Sequence, residues 1–266
     1  ATVLLLRDGP QGLEVLMLKR HSQSNVLGGA HVFPGGKLDP ADGSPDSLSL
    51  IGHGPDLAQR LDEADLSQAR AAALYLAALR ETWEEAGVLL GCMAPLGGAA
   101  PATWPADLHR LGIRLDLQAL QPWSRWITPR KASVTTKRFD TRFFVARLPE
   151  GQQAQHDAHE ATESTWLRPL QALEHYWQRQ IELAPPQIMS LVDLSRHANV
   201  DSVLQQACSR RPPLIEPEPF DQDGVRTICY PGDPRHPVRE KAFPGPSRLH
   251  FRDGRFEPAN GFSDFL

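Results

Sequence analysis

The feature that most constrains this chain is an alanine- and leucine-rich segment that runs into an acidic turn. Glu81, Glu84 and Glu85 lie in this turn, and Gly87 follows them. At about 100° per residue the glutamates fall within one sector of a helix, and the apolar residues fall on the opposite side. A glycine just past the last periodic residue is typical of a left-handed helix cap. The pattern predicts a helix over residues 67–86 with one apolar and one negative face.

The negative face of this helix needs a compensating charge. Like charges three and four residues apart destabilise a helix by roughly 0.2–0.5 kcal/mol per pair. Arg80 lies four residues before Glu84 and offsets part of this repulsion. Mg²⁺ and Mn²⁺ favour carboxylate oxygen, so a divalent cation is one remedy. The alternative is an acidic face exposed to solvent, without a ligand.

A glycine turn stands upstream of the acidic helix. Residues 31–33 predict a short strand that enters Pro34, Gly35 and Gly36, where the backbone can approach a ligand closely. Together, this turn and residues 80–88 resemble the Nudix box, G-x5-E-x7-R-E-U-x-E-E-x-G-U, in which U is a bulky apolar residue. Gly36 matches the first glycine, and residues 80–88 match the second half.

The resemblance implies an α/β fold, the Nudix α/β/α sandwich with a mixed sheet, and metal-dependent hydrolysis of a nucleoside diphosphate derivative. It also implies roles for particular residues. The metal, Mg²⁺ or Mn²⁺, would be held by Glu81, Glu84, Glu85 and the carbonyl of Gly35. The catalytic residues would be Glu84, Glu85, Arg80 and Glu160. The substrate would contact Arg20, Gly36, Arg125, Arg138 and Arg142.

Two departures from the box concern its first half. Position 72 is alanine where the box has glutamate, and residues 37–71 form an insertion. Loss of that glutamate should loosen the orientation of Arg80, and we expect Glu63 or Asp65 to support it instead. We also expect a glutamate restored at position 72 to be tolerated. The insertion is typical of a loop followed by a short helix. It either contributes to substrate selection or is a tolerated surface insertion.

A later acidic segment has a second resemblance to the family. Glu160 and Glu163 precede Trp166 in the E-x-x-E-x-x-W-x-x-P-L arrangement of many Nudix hydrolases. This implies that Glu160 is a further metal ligand or a general base, and the alternative is an acidic loop before a strand. Three neighbours lack a well-spaced soft ligand and are expected to be loop residues: His156, Asp157 and His159.

Segments outside the box resemble one branch of the family. Arg20, Gly29 and residues 33–36 match the motif that precedes the box in CoA and acyl-CoA diphosphatases, whereas His21 and Asn25 depart from it. The peroxisomal-type acyl-CoA diphosphatases and their bacterial relatives are similar at residues 123–129, 138–144 and 230–233. The arginines of these segments are candidates to bind phosphate. Alternatively, they pair with acids.

Three functions therefore stay open. The first is hydrolysis of CoA or acyl-CoA. The second is hydrolysis of another nucleoside diphosphate derivative, such as ADP-ribose, NADH or a dinucleotide. The third is a Nudix-fold ligand-binding module without catalysis, which Ala72 suggests and the intact glutamates oppose.

The composition of the chain limits the classes of partner that we expect it to bind. Lys and Arg total 28 against 32 Asp and Glu, a net charge of −4, which gives no footprint for nucleic-acid binding. The longest apolar runs are too short to span a bilayer. Three cysteines without a C-x-x-C motif are typical of reduced thiols in the cytoplasm. We expect a small-molecule nucleotide partner, no nucleic acid and no membrane, and the sequence leaves a homodimer open.

The order of predicted elements suggests two parts. Residues 1–180 form the Nudix domain, and residues 181–266 add a helical pair and a strand-like extension packed on the same domain. The predicted strands are 2–6, 13–19, 31–33, 88–90, 123–128, 138–148 and 165–167, with a strand-like tail over 225–256. The further predicted helices are 169–180, 185–197 and 200–210.

Overall fold

A computed structural model describes residues 1–24, 27–52, 56–92, 103–129, 138–157 and 161–266. The strands are β1 (Thr2–Gly9), β2 (Gly12–Arg20), β3 (His31–Val32), β4 (Gln121–Ile127), β5 (Asp140–Arg147), β6 (Ala161–Leu167), β7 (Leu214–Ile215), β8 (Glu218–Gln222), β9 (Val225–Cys229), β10 (Arg248–Arg252) and β11 (Arg255–Glu257). The helices are α1 (Pro45–Ser49), α2 (Leu57–Arg60), α3 (Gln68–Ala86), α4 (Ala106–Arg110), α5 (Pro169–Trp177), α6 (Pro185–Leu194) and α7 (Val200–Ser209). Short 3-10 helices span Pro40–Gly43, Leu117–Ala119 and Phe262–Phe265.

The main sheet is mixed, as the sequence predicts. Its strand order is β3-β2-β1-β5-β4-β7, and β6 pairs with β2. The β1–β5 and β4–β7 pairs are parallel, and the remaining pairs are antiparallel. The strands predicted over residues 2–6 and 13–19 are present as the antiparallel pair β1–β2, and both are longer than predicted.

The sheet lies between two helical layers because its strands bury both faces. In β1, Val3 and Leu5 belong to the core that α3 covers, whereas Leu4 and Leu6 belong to the core that α5, α6 and α7 cover. Side chains alternate between the two faces of a strand. The fold is therefore the expected α/β/α sandwich.

Helix α3 follows the sequence prediction at both ends. The Ser67 side chain accepts a hydrogen bond from the backbone N–H of Arg70 and caps the first turn. Gly87 adopts the left-handed conformation at φ 66° and ends the helix directly behind the acidic turn. The buried face of the acidic turn is nevertheless less apolar than predicted. The polar Thr82 side chain is fully buried, whereas the apolar Trp83 side chain is only half-buried.

The predicted strand over residues 88–90 is wrong. The segment is buried, but it pairs with a side chain rather than with a strand. Leu89 donates its backbone N–H to Oε1 of Gln152 over 2.8 Å, and the Gln152 amide donates back to the Leu89 carbonyl over 2.9 Å. One amide side chain therefore satisfies both backbone groups, which removes the need for a ladder partner.

The C-terminal part completes the main sheet and its second core. Helices α6 and α7 cover one face, and β7 extends the edge beside β4. Strands β8 to β11 form a separate antiparallel sheet that adds Ile228 and Leu249 to the same core. Pro219 is accommodated in β8 because β8 is an edge strand. Across the described ranges, none of the helices has both the length and the apolar character needed to cross a bilayer.

Candidate active site

Arg80 is the centre of the acidic turn on α3. Its Nη1 lies 2.7 Å from Oε2 of Glu84, and its Nη2 lies 3.1 Å from Oε1 of Glu81. Only about an eighth of the Arg80 side chain is exposed, whereas about half of the Glu84 side chain is exposed. The arginine therefore holds two of the three glutamates of the turn in fixed orientations.

Asp42 supplies the buried partner of Arg80. Arg80 donates from Nε to Oδ1 over 2.8 Å and from Nη2 to Oδ2 over 3.0 Å, and Asp42 is fully buried. The expectation that Glu63 or Asp65 takes this role is wrong. The signal was present in the sequence, since five residues separate Gly36 from Asp42, which is the box spacing. The insertion that departs from the box therefore follows Asp42, rather than starting at residue 37.

The loop before Asp42 also wraps around Arg80. Arg80 Nη2 donates to the Lys37 carbonyl over 3.0 Å, and the backbone N–H of Asp39 donates to Oδ2 of Asp42 over 2.8 Å. Burial tends to lower the pKa of Arg80, but the Asp42 hydrogen bonds and the Glu81 charge outweigh it and raise the pKa well above its usual value. Arg80 is therefore a permanent cation.

The third glutamate, Glu85, is held by the glycine turn. The backbone N–H of Gly35 donates to Oε2 of Glu85 over 2.7 Å, and Glu85 is buried. A Cβ at Gly35 would lie 2.6 Å from Cα of Thr2, and a Cβ at Gly36 would overlap the Glu81 carboxylate. The glycine at position 35 therefore lets the turn lie against the start of β1, and the glycine at position 36 leaves room for the Glu81 carboxylate.

The carboxylates of this turn suit a hard divalent cation. Burial raises the pKa of Glu81, and Arg80 reverses only part of that increase, so the ionised form lacks full compensation. A cation beside Glu81 would supply it, and oxygen donors are what Mg²⁺ and Mn²⁺ prefer. Within the described ranges, no three His, Cys, Asp or Glu side chains already converge on one point. The Arg80 ion pairs and the Gly35 N–H instead hold the glutamates.

Ala72 is not an open position. It is buried in the core that α3 forms with the sheet, two turns before Arg80. A glutamate there would place a carboxylate among apolar side chains without a cationic partner. This burial opposes the expectation that a glutamate at position 72 is tolerated, and Asp42 already contacts Arg80 from outside the helix.

Two of the strand arginines are paired with acids. Arg125 and Arg142 face each other on β4 and β5, and both contact Glu63 of the insertion, at 2.8 Å and 2.5 Å. Asp140 completes the network by binding both arginines. Burial tends to raise the pKa of Asp140, but the hydrogen bonds and charges of Arg125 and Arg142 together outweigh it and lower the pKa. Arg125 and Arg142 therefore pair with acids, which is the second of the two alternatives that the sequence left open for the strand arginines.

The remaining arginine candidates differ in their surroundings. Arg138 is half-exposed and lies 3.5 Å from Glu216. The Nε atom of Arg20 is buried and has no hydrogen-bond partner among the described residues. Arg20 is thus the candidate whose guanidinium retains a buried, unused donor.

Glu160 lies outside the described residues, as does His159. The segment before them is anchored to the end of α3, since the backbone N–H of Asp157 donates to the Glu85 carbonyl over 3.1 Å. His156 contacts the Ser164 hydroxyl at 3.1 Å, in agreement with a loop role. The sequence had not predicted this anchoring, which depends on backbone groups alone.

A mixed sheet between two helical layers, with an arginine and three glutamates in an acidic turn beside two glycines, defines the chain as a Nudix hydrolase. The NUDIX hydrolase from Alicyclobacillus acidocaldarius has this fold, with a TM-score of 0.62 and 25% identity. The match covers 79% of this chain and 95% of that chain.

The NUDT19 Nudix domain family matches residues 57–194, about half of the chain. Acyl-coenzyme A diphosphatase NUDT19 of Gallus gallus is 30% identical over 292 residues, which cover 88% of this chain and 77% of that protein. The Homo sapiens protein of the same name is 32% identical over 248 residues, which cover 76% of this chain and 65% of that protein. The chain belongs to the NUDT19 Nudix family.

Proposed function

We propose that this chain is a diphosphatase that hydrolyses CoA and acyl-CoA and depends on Mg²⁺ or Mn²⁺. The observation that carries the proposal is the likeness, at 30% and 32% identity over most of the chain, to two proteins named acyl-coenzyme A diphosphatase. The preserved turn of Arg80, Glu81, Glu84 and Glu85 supports catalysis and opposes a role as a ligand-binding module alone.

Glu81, Glu84 and Glu85 would hold the divalent cation, with the Gly35 carbonyl as an additional ligand. When bound, the cation supplies charge neutralisation at the diphosphate and favours ionisation of water. Arg80 keeps Glu81 and Glu84 oriented, and the Gly35 N–H does the same for Glu85. Positioned carboxylates with fixed partners lose little freedom when the substrate binds.

The reaction adds one water across the P–O–P linkage. The water oxygen bonds to one phosphorus, the bridging oxygen leaves with the other, and two phosphate monoesters result. From CoA these are a 3′-phosphoadenosine phosphate and a phosphopantetheine. We propose Glu160 as the further ligand or general base, and the anchoring of Asp157 to the Glu85 carbonyl supports a position near the acidic turn.

Arg20 is the first candidate to bind a substrate phosphate, because its buried Nε lacks a protein partner among the described residues. Gly36 lies against Glu81, where a substrate could approach the backbone. Arg125 and Arg142 share Glu63 and Asp140, and Arg138 lies near Glu216. To bind a substrate phosphate, these three arginines would therefore have to release a carboxylate partner or use N–H groups that the carboxylates do not occupy.

The test is a substrate panel with product chromatography. CoA, an acyl-CoA, dephospho-CoA, ADP-ribose, NADH and a dinucleoside polyphosphate are each incubated with Mg²⁺ or Mn²⁺, with Glu84→Gln as the inactive control. We expect CoA derivatives to have the highest kcat/KM. Faster cleavage of ADP-ribose, NADH or the dinucleotide would replace the substrate assignment, and binding without turnover of any of them would favour a ligand-binding module.

We also propose a cytoplasmic location, which the free thiols of Cys208 and Cys229 support. We propose residues 1–180 as the catalytic unit and residues 181–266 as an extension that completes its core. Cell fractionation and limited proteolysis test these two statements. Sedimentation would decide whether the chain forms a homodimer.

A further inference from the structure

A second cleft lies away from the acidic turn. It has a volume of about 430 Å³ and lies between α2 of the insertion, the start of β4 and the end of α7. Its lining includes three arginines, Arg60, Arg210 and Arg211, together with side-chain amides of Gln59 and Gln121. Among the residues that the structure describes, none of those lining the cleft is acidic. A volume of this size suits a small-molecule ligand.

Arg60 gives the cleft a charge that no described acid neutralises. Its Nη2 donates to the Leu120 carbonyl over 3.0 Å and to the Gln121 side-chain oxygen over 2.7 Å, and both acceptors are neutral. Its Nη1 is buried and has no hydrogen-bond partner among the described residues. The guanidinium carbon lies 5.5 Å from the centre of the Tyr75 ring, which limits its movement. An unpaired guanidinium donor in this position favours an anionic ligand.

Arg210 and Arg211 are partly compensated. Arg210 lies 3.0 Å from Asp193 and stacks over the Trp123 ring at 4.3 Å, and its Nε is buried without a hydrogen-bond partner in the described ranges. Arg211 is mostly exposed and lies 3.4 Å from Asp62. Two acids therefore oppose three arginines, and two guanidinium groups each retain a buried, unused N–H.

We propose that this cleft binds a phosphate group of a small molecule. Guanidinium groups donate two parallel hydrogen bonds to phosphate oxygens, and three arginines of the lining carry such groups. The amides of Gln59 and Gln121 line the same cleft and can bind the rest of a polar ligand. A purely apolar ligand would leave these donors buried and unpaired.

The phosphate can belong to the substrate or to a separate nucleotide. The α2 segment that carries Arg60 continues to Glu63, which contacts Arg125 four residues beyond Gln121 on the same strand. Four residues of strand span about 13 Å. A substrate that contacts Arg125 can therefore extend towards the cleft, and this possibility rests on the proposed function. A free nucleotide would instead bind independently of the acidic turn.

The exposed thiol of Cys208 lines the cleft and serves as a reporter that does not depend on activity. The Glu84→Gln protein is treated with iodoacetamide, and alkylation of Cys208 is followed by peptide mass spectrometry. The probes are adenosine 3′,5′-bisphosphate, inorganic pyrophosphate and adenosine. We expect the two phosphates to slow alkylation of Cys208 and adenosine alone to have no effect.

Variants link this protection to the arginines. Arg60→Gln and Arg211→Gln should each raise the phosphate concentration needed for protection, by about tenfold for Arg60. Arg226→Gln is the control, because Arg226 pairs with Asp221 within the C-terminal hairpin and does not line the cleft. Arg211→Gln keeps the test valid if Arg60→Gln fails to fold, since Arg211 is mostly exposed.

The outcomes separate the two sources. If CoA protects Cys208 and competes with adenosine 3′,5′-bisphosphate, the cleft binds the distal end of the substrate. If adenosine 3′,5′-bisphosphate protects and CoA does not, the cleft binds a separate nucleotide. Absence of protection by either phosphate, or protection unchanged in both arginine variants, would overturn the proposal. Protection of Cys208 is measured without hydrolysis, so these outcomes do not depend on which substrate the enzyme hydrolyses.

Discussion

Asp42 and Arg80 are 38 positions apart in the chain and are joined by two hydrogen bonds, at 2.8 Å and 3.0 Å. The Asp42 carboxylate is completely buried. The pair connects the start of the insertion to the acidic turn of α3. Because Arg80 also contacts Glu81 and Glu84, the position of Asp42 influences the orientation of the glutamates expected to bind metal.

Asp42→Asn should lower both stability and activity. Removing one charge of a buried pair costs about 3–5 kcal/mol, and Arg80 would lose its fixed orientation. We expect kcat/KM to fall at least about tenfold when measured well below the melting temperature. Asp65→Asn, at an exposed position of the insertion that follows Asp42, is the matched control and should behave like wild type. Asp42→Glu should retain more activity than Asp42→Asn, and equal losses in the two would contradict a role for the carboxylate charge.

Glu84→Gln and Glu85→Gln should separate activity from stability. Glu84 is about half-exposed, so its amide variant should keep the melting temperature and lose about 100-fold or more in metal-dependent turnover. Glu85 is buried and accepts the Gly35 N–H, so its variant should also melt earlier. Thermal melting and metal titration measure these effects. A Glu84→Gln protein with near wild-type rate and metal affinity would remove the helix as the metal site.

Ala72→Glu should destabilise the protein by about 3 kcal/mol or more, because it buries a carboxylate in an apolar core. Ala69→Glu introduces the same side chain in the exposed first turn of α3 and should change stability by about 0.5 kcal/mol or less. Chemical denaturation of the two variants measures the difference. Equal stability would mean that position 72 can reach solvent or Arg80.

Gly36→Ala should weaken metal binding while the fold persists. The added Cβ would overlap the Glu81 carboxylate, which is the end of a flexible side chain and can shift. We expect metal affinity to fall about tenfold. Gly52→Ala is the control, because no atom of another described residue, chain neighbours aside, lies within 4 Å of a Cβ there. Isothermal titration with Mn²⁺ measures the affinity, and unchanged binding would show that Glu81 is not a ligand.

Glu81→Gln should change the pH dependence of stability in the absence of metal. Burial raises the pKa of Glu81 above its ordinary value of 4.5. A pKa that is higher in the folded state stabilises the protein below 4.5, and this contribution is lost as the pH rises through the folded-state pKa. With EDTA present, the melting temperature of Glu81→Gln minus that of wild type should therefore increase from about pH 4 to about pH 7. A constant difference would mean that Glu81 titrates normally.

Local signals predicted the elements that carry the site. The apolar period and Gly87 predicted α3 nearly to the residue, because helix periodicity and caps depend on neighbours within one turn. Residues 88–90 show where this fails, since an apolar run cannot reveal that Gln152 satisfies its backbone groups. The sequence also contained the box spacing between Gly36 and Asp42. Because Ala72 was assigned to the glutamate position of the box, the insertion was instead predicted to start at residue 37.

The sequence by itself determined the mixed α/β class, the acidic helix and the three glutamates, because these follow from periodicity and short motifs. Only the tertiary structure decided which charges meet. Arg80 pairs with Asp42 because the loop after Gly36 folds back against α3, and Arg125 and Arg142 pair with Glu63 because the insertion folds back against β4 and β5. Ion pairing of this kind depends on distances of a few ångströms between segments far apart in the chain, and local pattern contains no information on those distances.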